Sequence, residues 1–206
     1  MDASEFVPPR ARSIPALARA AAGCRGCELY ADATQTVFGD GARRARLVLV
    51  GEQPGDVEDR RGEPFVGPAG GVLDRALADA DIDRDAVYLT NAVKHFHHRP
   101  AGKRRLHQTP RVGHITACRP WLLAELTVVT PRLVVCMGAT ATRSVLGTGF
   151  SVMRDRGAVL EPDDAIPPGR FVVTVHPSAV LRAAERRDEV FAGLVADLRV
   201  AASAVQ

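Results

Sequence analysis

Four short apolar runs constrain the fold of this chain more than any other feature of its sequence. The runs are RLVLV at 46–50, AVYLT at 86–90, RLVVCMG at 132–138 and FVVTV at 171–175. Because they are almost continuously apolar rather than alternating, they are typical of strands that a parallel sheet buries on both faces. Segments with a helical spacing of apolar residues lie between them, so the sequence predicts a three-layer α/β/α sandwich around a mostly parallel central sheet.

Helices are indicated by capping residues and by apolar spacing. They are expected over 13–23, from about residue 70, over 115–128, directly after residue 175 and over about 187–203. Ser13 and Ser178 are of a residue type that caps helix N-termini, whereas Pro120 is expected to interrupt its helix early. With 206 residues, 46% of them apolar, the chain is long enough for one substantial core, and we expect a single domain over 1–206.

Composition also limits where the protein acts. No segment approaches the roughly 18 to 20 consecutive apolar residues that a membrane span needs. The first residues, MDASEFVPPRARS, lack the basic end and the apolar run of a secretory signal. We therefore expect a cytoplasmic protein without a membrane segment. Nothing in the sequence points to an obligate assembly, so a monomer is the expected state.

Charge is distributed unevenly along the chain. The net charge is only +3, yet no acidic residue occurs between Asp85 and Glu125. This window holds five of the six histidines and seven cations, which are Lys94, Arg99, Lys103, Arg104, Arg105, Arg111 and Arg119. Clustered cations gain affinity for phosphates by releasing counterions, which favours a nucleic acid as the partner. A solvated basic loop is the alternative interpretation.

Part of this window is the segment AGKRRLHQTP at 101–110, which belongs to a long predicted loop. The loop runs for about 20 residues, and structureless loops of that length in a compact domain are usually functional or disordered. Its three consecutive cations are followed closely by a histidine, His107. Histidine adds acid, base or nucleophile chemistry to what is otherwise a phosphate-binding pattern.

Polar side chains follow the ends of the predicted strands, where α/β proteins gather their functional residues. Glu52 and Gln53 follow the first strand, Asn91 follows the second and His176 follows the fourth. The glycine-rich segment that begins at Gly51 matches neither the dinucleotide fingerprint nor the phosphate loop. No nucleotide cofactor is therefore expected.

The same glycine-rich segment carries an acid and an aromatic residue, Asp56 and Phe65. Together with Glu52, Asn91 and His176 at one edge of the sheet, they would form a pocket for a flat ring with hydrogen-bonding edges. A nucleobase is such a ring. The alternative is that these residues form turns and that Phe65 belongs to the core.

The chain has four cysteines, Cys24, Cys27, Cys118 and Cys136. The close pair brings two thiolates together across a tight turn, and with the two later cysteines it forms a pattern that can hold zinc or an iron-sulfur cluster. Zinc ribbons usually use two close pairs, whereas Cys118 and Cys136 are 18 positions apart, which favours the iron-sulfur cluster. A disulfide framework is not expected in a cytosolic chain, and Cys136 can alternatively be a free buried thiol.

Four segments together resemble the uracil-DNA glycosylase superfamily, over about residues 20 to 200. They are CRGC, VGEQPGDVEDRRGEPFVGPAGGVLDRAL, YLTNAVKHF and HPSAVLR. The CRGC and ACRPWL segments look like the iron-sulfur family 4 enzymes, whose four cysteines bind a 4Fe-4S cluster. The resemblance implies the uracil-DNA glycosylase fold and a cluster held by Cys24, Cys27, Cys118 and Cys136.

Two further segments, GEQPGD and KRRLH, resemble the UdgX branch of that superfamily, with Leu106 in place of an isoleucine. Members of the branch become covalently linked to uracil-containing DNA through a histidine of the loop. By position, that histidine is His107. The resemblance therefore implies that the chain excises uracil from single-stranded DNA, or from a flipped-out nucleotide, and is consumed as His107 bonds to the sugar C1′.

The resemblance and the residue chemistry together imply roles for the remaining residues. His176 would donate a hydrogen bond to uracil O2, Asn91 would read the N3 and O4 edge, and Phe65 would stack on the ring, with Gly51 and Ser178 also contacting the substrate. Lys103, Arg104 and Arg105 would hold the DNA backbone and disfavour protonation of His107. Glu52 would orient His107 and accept its proton, while Gln53 and Asp56 would position the loop or the base.

Two alternatives to this function are open from the sequence. A conventional family 4 glycosylase would release uracil and abasic DNA with turnover. A non-catalytic module would bind uracil-containing DNA in the same pocket without cutting it.

Overall fold

A computed structural model describes residues 2–10, 12–163 and 169–205 of the chain. The helices over these residues are α1 (Ile14–Ala21), α2 (Asp56–Arg61), α3 (Pro68–Asp79), α4 (Val112–Val129), α5 (Ala139–Leu146), α6 (Val152–Asp155), α7 (Pro177–Arg182) and α8 (Arg187–Val205). The strands are β1 (Asp40–Gly41), β2 (Leu47–Gly51), β3 (Tyr88–Asn91), β4 (His98–Ala101), β5 (Arg104–His107), β6 (Leu133–Met137), β7 (Val159–Leu160) and β8 (Arg170–Thr174). Short 3-10 helices lie at Ala3–Glu5, Glu28–Ala31, Arg84–Ala86 and Ala184–Arg186.

The central sheet has the strand order β1-β3-β2-β6-β8-β7. The four inner strands, β3, β2, β6 and β8, are parallel to one another, and the two-residue edge strands β1 and β7 are antiparallel. All four inner strands are the apolar runs of the sequence, and nearly all their side chains are buried. The predicted mostly parallel sheet is confirmed.

Helices cover both faces of this sheet. On one face, side chains of α3, α7 and α8 such as Leu73 and Leu198 pack against Leu49 and Val135. On the other face, α4 and α5 pack against the alternate side chains of the same strands. Helix α1 packs on the outer side of α4 in a third cluster, which contains two of the cysteines. The three-layer α/β/α sandwich is thus present.

Two local predictions about helices are wrong. Helix α4 is continuous from Val112 to Val129, with Pro120 inside it. A proline removes one backbone hydrogen bond, and here the burial of the residues that follow it, such as Trp121 and Leu122, outweighs that loss. The N-cap of α7 is His176 rather than Ser178, because the His176 ring accepts the backbone N–H of Ser178.

The predicted long loop contains a β-hairpin, formed by β4 and β5. His98 is paired with His107 at its base and Ala101 with Arg104 at its tip. Gly102 has φ = 59° at the first of the two turn residues, the position where type II′ hairpins favour glycine. The hairpin therefore carries His107 at a defined place.

Among the described residues, no helix is both long enough and apolar enough to span a membrane.

Candidate active site

The ends of β2 and β3 form the floor of the site. Gly51 and Asn91 are register partners at the carboxyl ends of these strands. A Cβ atom on Gly51 would lie 2.4 Å from Asn91 Oδ1 and 2.5 Å from Phe65 Cζ, closer than side chains ever pack. Glycine is therefore required here, because it lets the amide of Asn91 and the ring of Phe65 meet over the strand end.

Phe65 forms one wall of the site in an unusual backbone conformation. Its φ of 56° lies in the left-handed region, which non-glycine residues rarely adopt and which costs about 1 to 3 kcal/mol. The ring is buried, and its centroid lies 6.3 Å from that of His176 at an interplanar angle of 32°. Such strain is common at functional sites, where it holds a side chain in a required direction.

His176 presents an unused hydrogen-bond donor. Its Nδ1 lies 3.2 Å from the backbone nitrogen of Ser178 and 2.8 Å from Ser178 Oγ. Because a backbone N–H can only donate, Nδ1 accepts, and in the neutral ring the proton is on Nε2. Burial lowers the pKa of His176 to about 4, with smaller contributions from Arg182 and His107, so the ring is neutral at pH 7. Nε2 is buried and has no hydrogen-bond partner among the described atoms.

An unpaired buried donor is costly unless a ligand accepts its hydrogen bond. The Nε2–H of His176 is therefore available to donate a hydrogen bond to a bound ligand. The structure does bring the predicted base-binding residues Asn91, Phe65 and His176 to one edge of the sheet. Ser178 belongs to the site as the partner of the His176 ring.

His107 lies at the end of β5, with its side chain half exposed. Its Nε2 is 3.4 Å from Oε1 of Glu52, whose other oxygen, Oε2, accepts a hydrogen bond from Thr140 Oγ1 at 3.0 Å. Burial lowers the pKa of His107 below 6.5; Glu52 opposes this shift, and Arg182 and His97 add to it. The ring is therefore neutral at pH 7 and has one nitrogen with a free lone pair.

The groups that lower the pKa of His107 are thus different from those predicted. Besides burial, the contributions come from Arg182 and His97, and the run of residues 103–105 is not among the causes. Lys103 and Arg104 are exposed at the tip of the hairpin. Because both side chains are exposed, solvent and salt screen their charges.

Gln53 binds both ends of the hairpin. Its amide nitrogen donates to the carbonyl oxygens of His97 and Gln108, each at 3.1 Å, and its amide oxygen accepts from the backbone N–H of His97 at 3.1 Å. Gln53 itself is buried at the end of β2. Its three hydrogen bonds therefore join the base of the hairpin to the end of β2.

Arg105 ties the hairpin to α2. Its guanidinium donates to Asp56 Oδ1 at 2.5 Å, to Asp59 Oδ2 at 2.6 Å and to Thr34 Oγ1 at 3.0 Å, and only 18% of the side chain is exposed. Asp56 also pairs with Arg60. Burial raises the pKa of Asp56, but its hydrogen bonds to the two arginines outweigh this and lower it overall. The charge of Arg105 is thus neutralised inside the protein, which leaves Lys103 and Arg104 as the exposed cations of the run.

Lys94 belongs to the basic window of the sequence, yet it is completely buried. Its ammonium donates to Thr90 Oγ1 at 2.6 Å, to the carbonyl oxygen of Asn91 at 2.8 Å and to Glu125 Oε2. Glu125 also accepts from Tyr88 Oη at 2.8 Å. This buried network supports the strand end that carries Asn91 and is not available to a nucleic acid.

Three of the four cysteines lie in one region. Cys24 and Cys118 share a core cluster with Trp121, against which Cys27 packs. Trp121 Nε1 lies 3.2 Å from Cys24 Sγ, and the backbone nitrogen of Lys94 lies 3.2 Å from Cys118 Sγ. Burial raises the pKa of the Cys118 thiol to about 12; the charge of Lys94 opposes this, and Cys27 and Cys24 add to it.

Cys136 stands apart from this group. It lies on β6 in the core cluster between the sheet and helices α4 and α5, and burial alone raises the pKa of its thiol. The sequence spacing made it a candidate fourth ligand, but the strand turns its side chain into the apolar core. Its structure matches the free buried thiol that was the alternative.

His95 is a candidate ligand that the sequence analysis missed. It is 5% exposed and directly follows Lys94, whose backbone contacts Cys118. Thr36 Oγ1 donates to the carbonyl of Ala21, so His95 Nε2, 2.9 Å from that hydroxyl, must donate to it. Burial lowers the pKa of His95 to about 4 despite the opposing charge of Asp59, so Nδ1 keeps a free lone pair. A buried histidine next to a strand end in NAVKHF is the signal that could have identified it.

Cys24, Cys27, Cys118 and His95 fit an iron-sulfur cluster better than a single metal ion. Within the described ranges, no three metal-ligating side chains are close enough to hold one ion. A four-iron cluster binds each ligand at a different iron and so separates the ligands more widely. Three thiols and the neutral imidazole of His95 fit that larger group. The Nε2 of His95 already donates to Thr36, and metal-bound histidines usually donate a hydrogen bond from the nitrogen that does not bind the metal.

Comparison with known proteins agrees with this geometry. Residues 38–199 match the family model for the uracil DNA glycosylase superfamily. The type-4 uracil-DNA glycosylase of Thermotoga maritima is 35% identical over 184 residues, which is 89% of this chain and 90% of that protein. The type-4 uracil-DNA glycosylase of Archaeoglobus fulgidus is 33% identical over 181 residues, 86% of this chain and 87% of its own length.

A third relative, the type-4 uracil-DNA glycosylase of Pyrobaculum aerophilum, is 33% identical over 170 residues, or 81% of this chain and 83% of that protein. The match to the family model includes all four inner strands and the residues at their carboxyl ends. With most of the sequence, the fold and the site in agreement, this chain belongs to the uracil-DNA glycosylase superfamily.

Proposed function

We propose that this chain excises uracil from DNA and is then joined covalently to the abasic sugar through His107. The glycosylase part is supported by the relatives, each of which is named as a type-4 uracil-DNA glycosylase. The covalent part rests on one observation, which is that a neutral His107 lies 3.4 Å from the carboxylate of Glu52 on a hairpin fixed by Gln53 and Arg105.

Base recognition uses the floor and wall of the site. Phe65 offers a buried ring on which a flipped-out base can stack, and the amide of Asn91 offers one donor and one acceptor. Uracil presents an N3 donor beside an O4 acceptor, whereas cytosine presents these groups reversed. The amide therefore discriminates between the two bases once its orientation is fixed.

Bond cleavage uses the buried donor of His176. When the bond between C1′ and uracil N1 breaks, the electron pair leaves with the base and negative charge develops on O2. The Nε2–H of His176 is neutral, buried and unpaired in the free protein, so it can stabilise that charge without first breaking another hydrogen bond. Because the pKa of His176 is about 4, the ring stays neutral at pH 7 and donates this hydrogen bond without carrying a charge of its own.

Capture uses the lone pair of His107. One ring nitrogen attacks C1′ as the base leaves and forms a nitrogen–carbon bond, which produces an imidazolium. The proton on the other nitrogen then passes to Glu52 and from there to solvent. A nucleophile held in place can have an effective molarity of about 10^5 M or more, so it reacts before water, which is present at roughly 55 M. The adduct has no easy hydrolytic exit, so the protein acts once.

DNA binding would use the exposed cations at the tip of the hairpin, Lys103 and Arg104. They lie on the same hairpin as His107 and so would hold the phosphates beside the reacting sugar. A base is accessible only when it is unstacked, so single-stranded DNA is the preferred substrate.

A 4Fe-4S cluster is the proposed cofactor, held by Cys24, Cys27 and Cys118 with His95 as the nitrogen donor. These residues lie on the turn after α1, the segment after β3 and helix α4, so a bound cluster would join these three elements. The protein residues themselves support the segment after β3, since the backbone of Lys94 donates to Cys118 and its side chain holds the carbonyl of Asn91.

A conventional glycosylase that releases abasic DNA is the second candidate, because the relatives carry that name. A denaturing gel after incubation with a single-stranded uracil oligonucleotide separates the two. We expect a slowly migrating protein–DNA band, and we expect His107→Ser to lose that band while it still releases uracil. Free abasic DNA from the unmodified chain would support turnover, and intact uracil-containing DNA would support binding without cleavage.

A further inference from the structure

Helix α5 contributes a buried hydroxyl to the site, from Thr140. The helix begins directly after β6, and Gly138 between them has φ = 87°, which turns the first helical residues toward the carboxyl edge of the sheet. Thr140 is 5% exposed, and its Oγ1 donates a hydrogen bond to Glu52 Oε2 at 3.0 Å. No role follows for this residue from the sequence.

This hydrogen bond assigns separate tasks to the two oxygens of Glu52. Oε2 is occupied by Thr140, and Oε1 is left facing His107 Nε2 at 3.4 Å. A glutamate side chain that is partly exposed would otherwise sample several rotamers, since each free torsion adds conformational entropy. Thr140 therefore restricts Glu52 to the conformation in which one oxygen can receive a proton from the histidine.

We propose that Thr140 is a positioning residue for covalent capture, an inference that rests on the proposed function. It acts through Glu52. As the bond between His107 and C1′ forms and uracil leaves with the electron pair, the ring proton of the imidazolium transfers to Oε1, while Thr140 holds Oε2. Thr140 has no part in the departure of the base.

The test compares Thr140→Val with Thr142→Val. Thr142 is a matched control because it is also buried on α5, and its hydroxyl donates to the carbonyl of Gly138 at 2.9 Å within the helix. Protein in excess is mixed with a uracil oligonucleotide, and uracil release and adduct formation are followed in the same samples. Thr140→Ser restores the hydroxyl and serves as the rescue.

We expect Thr140→Val to slow adduct formation about tenfold, the effect of losing one hydrogen bond to a charged group. Uracil release should stay within about threefold of the unmodified chain, as should both rates of Thr142→Val. A merely structural defect would slow uracil release as well as adduct formation, whereas loss of positioning slows adduct formation alone. Thr140→Ser should restore the rate of adduct formation.

Equal adduct rates for Thr140→Val and Thr142→Val would overturn this inference alone. Absence of any adduct with the unmodified chain would overturn the proposed capture, and the inference with it. The sample with the unmodified chain therefore distinguishes the two failures.

Discussion

Replacing Gln53 should separate capture from base excision. Gln53→Met removes three hydrogen bonds to the backbone at both ends of the hairpin, to His97 and Gln108, while keeping a similar side-chain volume. Each hydrogen bond contributes about 1 kcal/mol net, so the observed position of the hairpin becomes about 3 kcal/mol less stable relative to displaced positions of the hairpin. Since 1.4 kcal/mol is a factor of ten, the placement of His107 weakens by up to about 100-fold.

The assay is a single-turnover time course that measures released uracil and covalent adduct in one sample. Adduct formation should fall by one to two powers of ten, whereas uracil release should change by less than about threefold, because Asn91, Phe65 and His176 make no hydrogen bond to Gln53. Free abasic DNA should accumulate in place of the missing adduct. An equal loss of both products, or no loss of either, would refute the assigned role of Gln53.

Three further predictions test other parts of the site. Cys136→Ala should retain the brown colour and the absorbance near 400 nm of an iron-sulfur protein, and His95→Ala should lose most of both; the opposite result would restore the four-cysteine site. Adduct formation should persist from neutral pH to below pH 6.5 and fall as the pH is lowered further, since the pKa of His107 is lowered and only its neutral form reacts; a rate that rises on acidification would contradict this. Lys103→Ala and Arg104→Ala should each make binding to single-stranded DNA less dependent on salt. If each cation contacts one phosphate, the slope of log affinity against log salt concentration should become shallower by about 0.7 for each substitution. Unchanged slopes would show that these residues do not contact the DNA.

The sheet and the location of the site could be predicted from sequence because both depend on local patterns. The four apolar runs are short, almost continuous and followed by polar residues, so their burial and the edge at which Asn91 and His176 meet follow from strand geometry alone. The proposed role of His107 as a nucleophile comes from the resemblance of a short motif, since a basic loop by itself predicts only a phosphate contact.

Other features depend on long-range packing, and sequence spacing describes them poorly. Lys94 and Arg105 belong to a run of positive charge, yet Glu125 and the carboxylates of α2 pair with them from far along the chain. Cys136 fits a four-cysteine pattern, but β-strand alternation points its side chain into the apolar core. The two cations are paired with acids that lie outside the acid-free window. The role of Cys136 depends on the direction of its side chain on the strand.

The most direct test of covalent capture is the mass of the intact protein after incubation with a single-stranded uracil oligonucleotide, measured under denaturing conditions. The account predicts one species whose mass equals protein plus oligonucleotide minus uracil, with the modification mapped to the peptide that carries His107. A protein of unchanged mass beside free abasic DNA, or an adduct mapped to another residue, would contradict it.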